Sequence, residues 1–154
     1  MPSTITLEDE TELAEIVRSA HTVAVVGLRD ADAGQVPAHE IPKLLQTLGL
    51  DIVPVNPKLT QALGVPAYPD LAAMAAANGR VDVVDVFRRA EAVPGIADEI
   101  LALPVEQRPT VFWMQTGIHH DDAAARLAAA GIRVVQDRCL CVYAQRYRRP
   151  VTGS

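Results

Sequence analysis

Short apolar runs without a regular polar alternation recur along the chain, at residues 23–26, 51–55, 81–87, 109–115 and 132–137. Unbroken runs of this kind are typical of strands that are buried on both faces of a parallel sheet. The stretches between them carry apolar residues at helical spacing, at about residues 7–20, 37–48, 70–78, 91–103 and 121–130. This alternation predicts an α/β fold, a Rossmann-like doubly wound parallel five-stranded sheet with helices on both faces. We expect the strand order 3-2-1-4-5, with residues 81–87 counted as the third strand.

Several residues mark the ends of the predicted elements. Asp70 is suited to cap the helix that follows it, Gly49 to end the helix before it, and Pro94 to stand in a first helical turn. Glycine and proline interrupt residues 59–69, which we expect to form a surface connection. We predict a single domain over residues 1–150, with a helical segment from residue 138 and a frayed tail at residues 151–154.

The composition narrows the class of partner. The formal net charge is −5 at pH 7, so the overall field does not favour binding to nucleic acid or to an anionic membrane. No apolar stretch approaches the length of a membrane span, and the N-terminal stretch is acidic rather than a signal peptide. Cys139 and Cys141 are too close in sequence to reach disulfide geometry easily. We therefore expect a reduced, cytoplasmic protein with a small-molecule ligand, in which local donors must hold any polyanionic group.

Topology selects the candidate binding residues, because ligands of this fold bind at the carboxyl ends of the strands. The candidate segments are residues 27–29, 56–58, 87–89 and 115–118. An NAD enzyme normally ends its second strand in Asp or Glu, whereas this chain has Asn56, Pro57 and Lys58 there. A lysine at this place favours a phosphorylated ribose. Together with Arg29 and Arg88, it predicts a cluster of cations for a nucleotide that carries several phosphates.

Each of these signals also has a purely structural explanation. Gly27 is compatible with an ordinary tight turn, Lys58 with a solvated turn residue, and Arg88 with a surface ion pair to Glu91. Phe87 is compatible with a core position, or with stacking on an adenine or covering a pantetheine arm. The combination favours a binding site more strongly than any of these residues does alone.

The sequence offers no convincing catalytic set or metal site. His119 and His120 lack metal-ligand spacing and are better explained as loop and helix-capping residues. Cys139 follows Arg138, which would favour a thiolate, but a structural thiol is the simpler interpretation. Asp82 and Asp85 lie on opposite faces of one strand and do not form a catalytic carboxylate pair. We therefore assign no catalytic residues and no metal ligands, and we favour a protein that is not an enzyme.

Five motifs in this order resemble the small stand-alone CoA-binding domain proteins of bacteria and archaea: HTVAVVGL, VNPK, VDVVDVFRRAE, VFWMQTGI and QDRC. These proteins are similar to the nucleotide-binding domain of the succinyl-CoA synthetase α subunit. The resemblance covers about residues 10–145 and implies a Rossmann-like domain that binds coenzyme A. The phosphohistidine and ligase machinery of the synthetase has no counterpart in this chain, so its reaction is not implied.

The resemblance also implies roles for the candidate residues. The backbone at Gly27, Leu28 and Arg29 would meet the diphosphate, and Lys58 of the NPK turn would serve a CoA phosphate. Phe87 and Arg88 would line the nucleotide, and Gln115, Gly117 and Ile118 would edge the same cleft. The first loop departs from the family pattern, because Arg29 replaces a serine, and Gln35 and Ala38 stand where an arginine and a serine are usual.

The sequence therefore predicts a protein that binds CoA or acyl-CoA, regulatory or acting with a partner enzyme. An NADP-dependent oxidoreductase is the first alternative, with Lys58 at the 2′-phosphate, although GxGxxG and a separate substrate domain are missing. A protein-interaction module with a decayed nucleotide site is the second alternative, suggested by the altered first loop. A homodimer is compatible with the leading helix and the apolar tail.

Overall fold

The computed structural model describes residues 7–29 and 36–148. The six helices within these residues are α1 (Glu10–Ser19), α2 (Pro37–Thr47), α3 (Leu71–Asn78), α4 (Val93–Leu101), α5 (Asp121–Ala129) and α6 (Leu140–Tyr147). The seven strands within them are β1 (Thr22–Val26), β2 (Asp51–Val55), β3 (Gln61–Ala62), β4 (Val65–Pro66), β5 (Val83–Val86), β6 (Val111–Met114) and β7 (Arg133–Val135). The predicted tail at residues 151–154 lies outside the described residues.

Five strands form one parallel sheet in the order β2-β1-β5-β6-β7. A single parallel bridge between Val55 and Tyr68 adds a rudimentary strand outside β2. When this bridge is counted as the third strand, the order reads 3-2-1-4-5-6, which contains the expected order 3-2-1-4-5, and the Rossmann-like prediction is confirmed. One assignment needs correction, because residues 81–87 were counted as the third strand but form β5, which takes the fourth place beside β1.

The expected surface connection at residues 59–69 has more structure than the sequence indicated. Strands β3 and β4 form a short antiparallel hairpin, with Leu63 and Gly64 both at positive φ in its two-residue turn. Tyr68 then donates its N–H to the Pro54 carbonyl and accepts one from Asn56, at 3.0 and 2.9 Å. These two hydrogen bonds pair part of the outer edge of β2, which would otherwise be open to pairing with another chain.

The sheet separates two hydrophobic cores, as a doubly wound fold requires. Helices α1, α2 and α6 cover one face, and α3, α4 and α5 cover the other. Adjacent residues of β6 alternate between them, with Trp113 in the first core and Phe112 in the second. Both side chains are fully buried.

The predicted helix boundaries are confirmed where capping residues were recognised. The Asp70 carboxylate accepts the Ala73 N–H at 2.8 Å and caps α3, and Pro94 stands in the first turn of α4. Gly49 follows α2 with φ of +89°. No helix among residues 7–29 and 36–148 is long and apolar enough to cross a membrane.

Candidate functional site

An open cleft of about 810 Å³ lies where the carboxyl ends of β1, β2 and β5 meet. Its lining includes seven of the residues that the sequence singled out: Gly27, Arg29, Asn56, Pro57, Lys58, Phe87 and Arg88. They come from three chain segments that are far apart in sequence and adjacent in the sheet. The prediction that the first three segments form one crevice is thus consistent with their positions in the structure.

Gly27 is required by the fold at the point where β1 ends. Its φ is +90°, and a Cβ atom there would lie 2.7 Å from the Phe87 carbonyl oxygen and 2.9 Å from Cδ of Arg88. Its N–H donates to the Val55 carbonyl at 3.0 Å. The glycine therefore lets the ends of β1 and β5 approach each other, whether or not a ligand binds.

The backbone after Gly27 is already engaged in part. The N–H of Arg29 donates to the Ala38 carbonyl at 2.9 Å, just as that of Gly27 donates to Val55. Leu28 directs its side chain into the core, where it is fully buried, instead of lining the cleft. A role of this loop in holding a diphosphate would therefore rest on the Arg29 side chain.

Asn56 organises the turn that follows β2. Its side-chain Nδ2 donates to the Leu28 carbonyl at 2.9 Å, while its Oδ1 accepts the N–H of Lys58 at 2.9 Å. The second bond is an Asx turn, which directs the chain around Pro57. Both ends of the Asn56 side chain are thus committed within the protein, and Lys58 is left exposed in the cleft.

The basic side chains of the cleft differ from the other arginines of the described chain. Arg29, Lys58, Arg88 and Arg89 are exposed in the cleft, and none forms a hydrogen bond or ion pair with a described side chain. Arg88 in particular does not pair with Glu91. The described arginines outside the cleft are all engaged with carboxylates, carbonyls, a tyrosine hydroxyl or aromatic rings: Arg18, Arg80, Arg108, Arg126, Arg133, Arg138, Arg146 and Arg148. Four cations without a described side-chain partner thus face one crevice of a chain whose net charge is −5.

The cleft is also lined by acidic and apolar groups, among which sequence reasoning had named only Pro57 and Phe87 as ligand residues. Glu99 of α4 accepts the N–H of Leu71 at 3.2 Å, and Asp70 caps the same end of α3. These carboxylates satisfy the N-terminus of α3, which is therefore not a free anion site. The apolar surface comes from Pro57, Leu59, Pro69, Leu71 and Ile96.

Two further lining residues had weak sequence signals. Arg89 belongs to the candidate segment 87–89 but was given no role of its own, and Asp70 was recognised only as a cap. The ring of Phe87 packs against the core on the α1, α2 and α6 side. Phe87 also lines the cleft, together with Pro57, Pro69 and Ile96.

The fourth predicted segment does not line this cleft. Gln115 is buried, and its side-chain oxygen accepts the Leu140 N–H at 3.0 Å. Gly117 donates its N–H to the Asp137 carboxylate at 2.6 Å, and Ile118 packs on the second core. These bonds join the loops after β6 and β7, so the segment fastens α6 to the sheet.

The remaining polar candidates, two histidines and two cysteines, lie outside the lining of the cleft. His120 caps α5 by accepting the Ala123 N–H at 3.1 Å, as predicted, and His119 lies 3.3 Å from the Asp121 carboxylate. Cys139 and Cys141 are both free thiols. Burial, followed by the influence of Cys139 and Asp85, raises the pKa of Cys141 to about 11, which does not favour a thiolate nucleophile. Among the described residues, no group of three or more His, Cys, Asp or Glu side chains is placed to hold a metal.

Comparison with known proteins identifies the family to which this arrangement belongs. The sequence pattern of the family described as CoA binding domain matches residues 21–145, which include the cleft and the whole parallel sheet. The chain belongs to this CoA-binding domain family. The family resemblance drawn from the five motifs is thereby confirmed.

Relatives of this CoA-binding domain cover nearly the whole chain. The uncharacterized protein YneT of Bacillus subtilis (strain 168) is 38% identical over 131 residues, or 85% of this chain and 90% of YneT. The structure of cell-free ID.343 from Thermus thermophilus is 34% identical with a TM-score of 0.80, over 91% of this chain and 99% of that one.

A larger protein contains the same fold. The dinucleotide-forming acetyl-coenzyme A synthetase 1 of Ca. Korarchaeum cryptofilum, in complex with phosphate and ADP, matches 79% of this chain with a TM-score of 0.58. The identity is 18%, and the match covers 27% of the synthetase chain. This likeness shows the fold alone.

Proposed function

We propose that this protein binds coenzyme A or an acyl-CoA in the cleft at the ends of β1, β2 and β5. The carrying observation is the set of four cations without a described side-chain partner, Arg29, Lys58, Arg88 and Arg89, whereas the other described arginines are engaged internally. Unpaired cations in one crevice favour a ligand with several phosphate groups, because charge-assisted bonds to phosphate are stronger than neutral ones. CoA carries a 5′-diphosphate and a 3′-phosphate, and the family is that of CoA-binding domains.

The cleft provides complementary surfaces for the two ends of such a nucleotide. The Arg29 side chain would hold the diphosphate, and Lys58 would hold the 3′-phosphate. The adenine would lie between Pro57 and Ile96, beside the carboxylate of Glu99. A carboxylate can accept a hydrogen bond from the exocyclic amine of adenine but would repel a phosphate, which fixes the direction of the ligand.

We propose that the protein acts through binding, as a regulatory protein or with a partner enzyme in the cytoplasm, instead of through catalysis of its own. The cleft lining includes two carboxylates, and both accept backbone N–H groups at the start of α3. Neither Cys139 nor Cys141 lines it. The described cleft thus offers binding groups without an activated nucleophile beside them.

A second candidate ligand is favoured by one residue. Lys58, at the end of β2, suits the 2′-phosphate of NADP as well as the 3′-phosphate of CoA. The two nucleotides differ in the position of that phosphate on the ribose and in the group beyond the diphosphate.

Calorimetric titration of the purified protein with CoA, acetyl-CoA, NADP and NAD, in one buffer at one salt concentration, tests the proposal. We expect CoA or acetyl-CoA to bind with a dissociation constant in the micromolar range, and NAD to give no measurable heat. Preference for NADP would replace the CoA proposal with a redox function. The absence of binding by all four nucleotides would contradict a nucleotide site and favour an interaction module.

A further inference from the structure

Asn56 connects two of the loops that present cations to the cleft, the one that carries Arg29 and the one that carries Lys58. Its Nδ2 crosses from the turn after β2 to the Leu28 carbonyl in the loop after β1, at 2.9 Å. Its Oδ1 accepts the Lys58 N–H within its own turn, also at 2.9 Å. One side chain therefore holds the residue before Arg29 and the backbone of Lys58 together.

The other side of the first loop is held by α2. The Arg29 N–H donates to the Ala38 carbonyl at 2.9 Å, and Nδ1 of His39 lies 3.0 Å from the Arg29 carbonyl. Since a carbonyl can only accept, Nδ1 carries the proton in this bond. His39 is 7% exposed, which restricts its motion.

Two successive peptide groups are thus held from opposite sides. The Leu28 carbonyl is bound by Asn56, and both polar groups of the Arg29 backbone are bound by α2. The fully buried Leu28 side chain anchors the same point in the core. The Arg29 side chain is left to project from a fixed backbone, while the position of Lys58 relative to it depends on Asn56.

We propose that Asn56 is a positioning residue that sets the spacing between Arg29 and Lys58, and thereby makes the cleft selective for a nucleotide with phosphates at two separate positions. The preferred class is a 5′-diphosphate nucleotide that also carries a phosphate on its ribose. Asn56 acts through Leu28 and Lys58 and does not contact the ligand. This inference rests on the proposed function, because it assigns the two cations to two phosphate groups of one ligand.

The test compares CoA with dephospho-CoA, which lacks only the 3′-phosphate, on the wild type and on Asn56→Ala. A well-placed lysine should make the wild type prefer CoA by roughly tenfold or more. In Asn56→Ala this preference should fall to about threefold or less, because Lys58 is no longer held at the correct distance from Arg29. Should the alanine variant not fold, Asn56→Ser retains an acceptor for the Lys58 N–H but is too short to reach Leu28.

Two control variants separate positioning from a general loss of stability. Asn78→Ala removes a side-chain hydrogen bond of the same type, from Nδ2 to the Met74 carbonyl at 3.0 Å, and should leave the preference for CoA unchanged. His39→Leu removes a hydrogen bond to the Arg29 backbone but none to Lys58, and should weaken the binding of both ligands by a similar factor.

The outcomes distinguish this inference from the function on which it rests. A wild-type protein that binds neither CoA nor dephospho-CoA would contradict the proposed function. A wild type that binds CoA, with the same preference retained in Asn56→Ala, would overturn the positioning role and leave the function standing. Equal binding of both ligands by the wild type would also overturn it.

Discussion

Asp85 is a carboxylic acid in the middle of the sheet without a hydrogen-bonding partner for either side-chain oxygen among the described residues. It is fully buried in β5, in register with Val25 of β1 and Trp113 of β6. Burial raises the pKa of Asp85 well above its usual range, and the nearby Val86 N–H opposes this shift by a smaller amount. An ionised carboxylate in this position would have neither water nor a cation to stabilise it.

The raised pKa predicts how stability depends on pH. The folded protein keeps the Asp85 proton at pH values where the unfolded chain, with an ordinary aspartate pKa near about 3.9, has lost it. Since the folded state then binds one proton more, the free energy of unfolding falls by about 1.4 kcal/mol per pH unit. This fall begins near the unfolded pKa and ends where the pH exceeds the folded pKa. Asp85 therefore weakens the fold as the pH rises through this window.

Asp85→Asn should remove this dependence, because the amide has nearly the same shape and does not titrate. Above the unfolded aspartate pKa, the free energy of unfolding of the variant should rise relative to that of the wild type by about 1.4 kcal/mol per pH unit. This corresponds to about 3–5 °C in melting temperature per pH unit for a chain of this size. Urea unfolding at successive pH values upward from the unfolded aspartate pKa of about 3.9 would measure the gain. Circular dichroism and the fluorescence of the single tryptophan would follow the unfolding. Asp51→Asn, at an exposed position of β2, is the control and should retain the wild-type slope. Parallel curves for the wild type and Asp85→Asn would refute the assignment of a protonated, buried acid.

Two further substitutions test the two ends of the cleft. Gly27→Ala should lower the free energy of unfolding by more than about 2 kcal/mol, because the new Cβ would meet the Phe87 carbonyl at a positive φ. Gly131 also has a positive φ but faces open space, so Gly131→Ala should lower the free energy of unfolding by only about 1 kcal/mol in the same urea titration. Lys58→Ala should weaken the binding of CoA by about tenfold more than that of dephospho-CoA in calorimetry, with little change in the stability of the protein. Equal losses for the two ligands would remove Lys58 from the 3′-phosphate.

The sequence predicted the elements that local patterns determine. The apolar runs located all five strands of the large sheet, and Asp70 and Gly49 marked helix ends through backbone chemistry that depends on a few neighbouring residues. Topology then brought Gly27, Lys58 and Arg88 to one cleft, because parallel strands end at the same edge. Periodicity and turn chemistry were sufficient for these predictions.

The missed features depend on contacts between distant segments. The Tyr68 bridge to Val55 is a single pair without an apolar run, and it changes the place assigned to residues 81–87 in the strand order. Glu99 enters the cleft through a bond to Leu71, 28 residues away. Gln115 stands at the end of a strand, as a ligand residue would, but α6 packs over it and uses its side chain. No local pattern distinguishes these outcomes before the helices are docked on the sheet.

The cleft contains two kinds of residue, which can be separated by what the fold itself requires. Gly27 and Asn56 are accounted for by the close approach of β1 to β5 and by the bonds that hold two loops together, so their presence alone does not show that a ligand binds. The side chains of Arg29, Arg88 and Arg89 have no partner among the described residues, and as like charges in one crevice they repel each other. An acidic chain offers many carboxylates that could have paired with them, as happens at Arg126 and Arg133. The case for a phosphate-rich ligand therefore rests on the arginines that the fold leaves unpaired, and the glycine and asparagine explain how these arginines are kept in place.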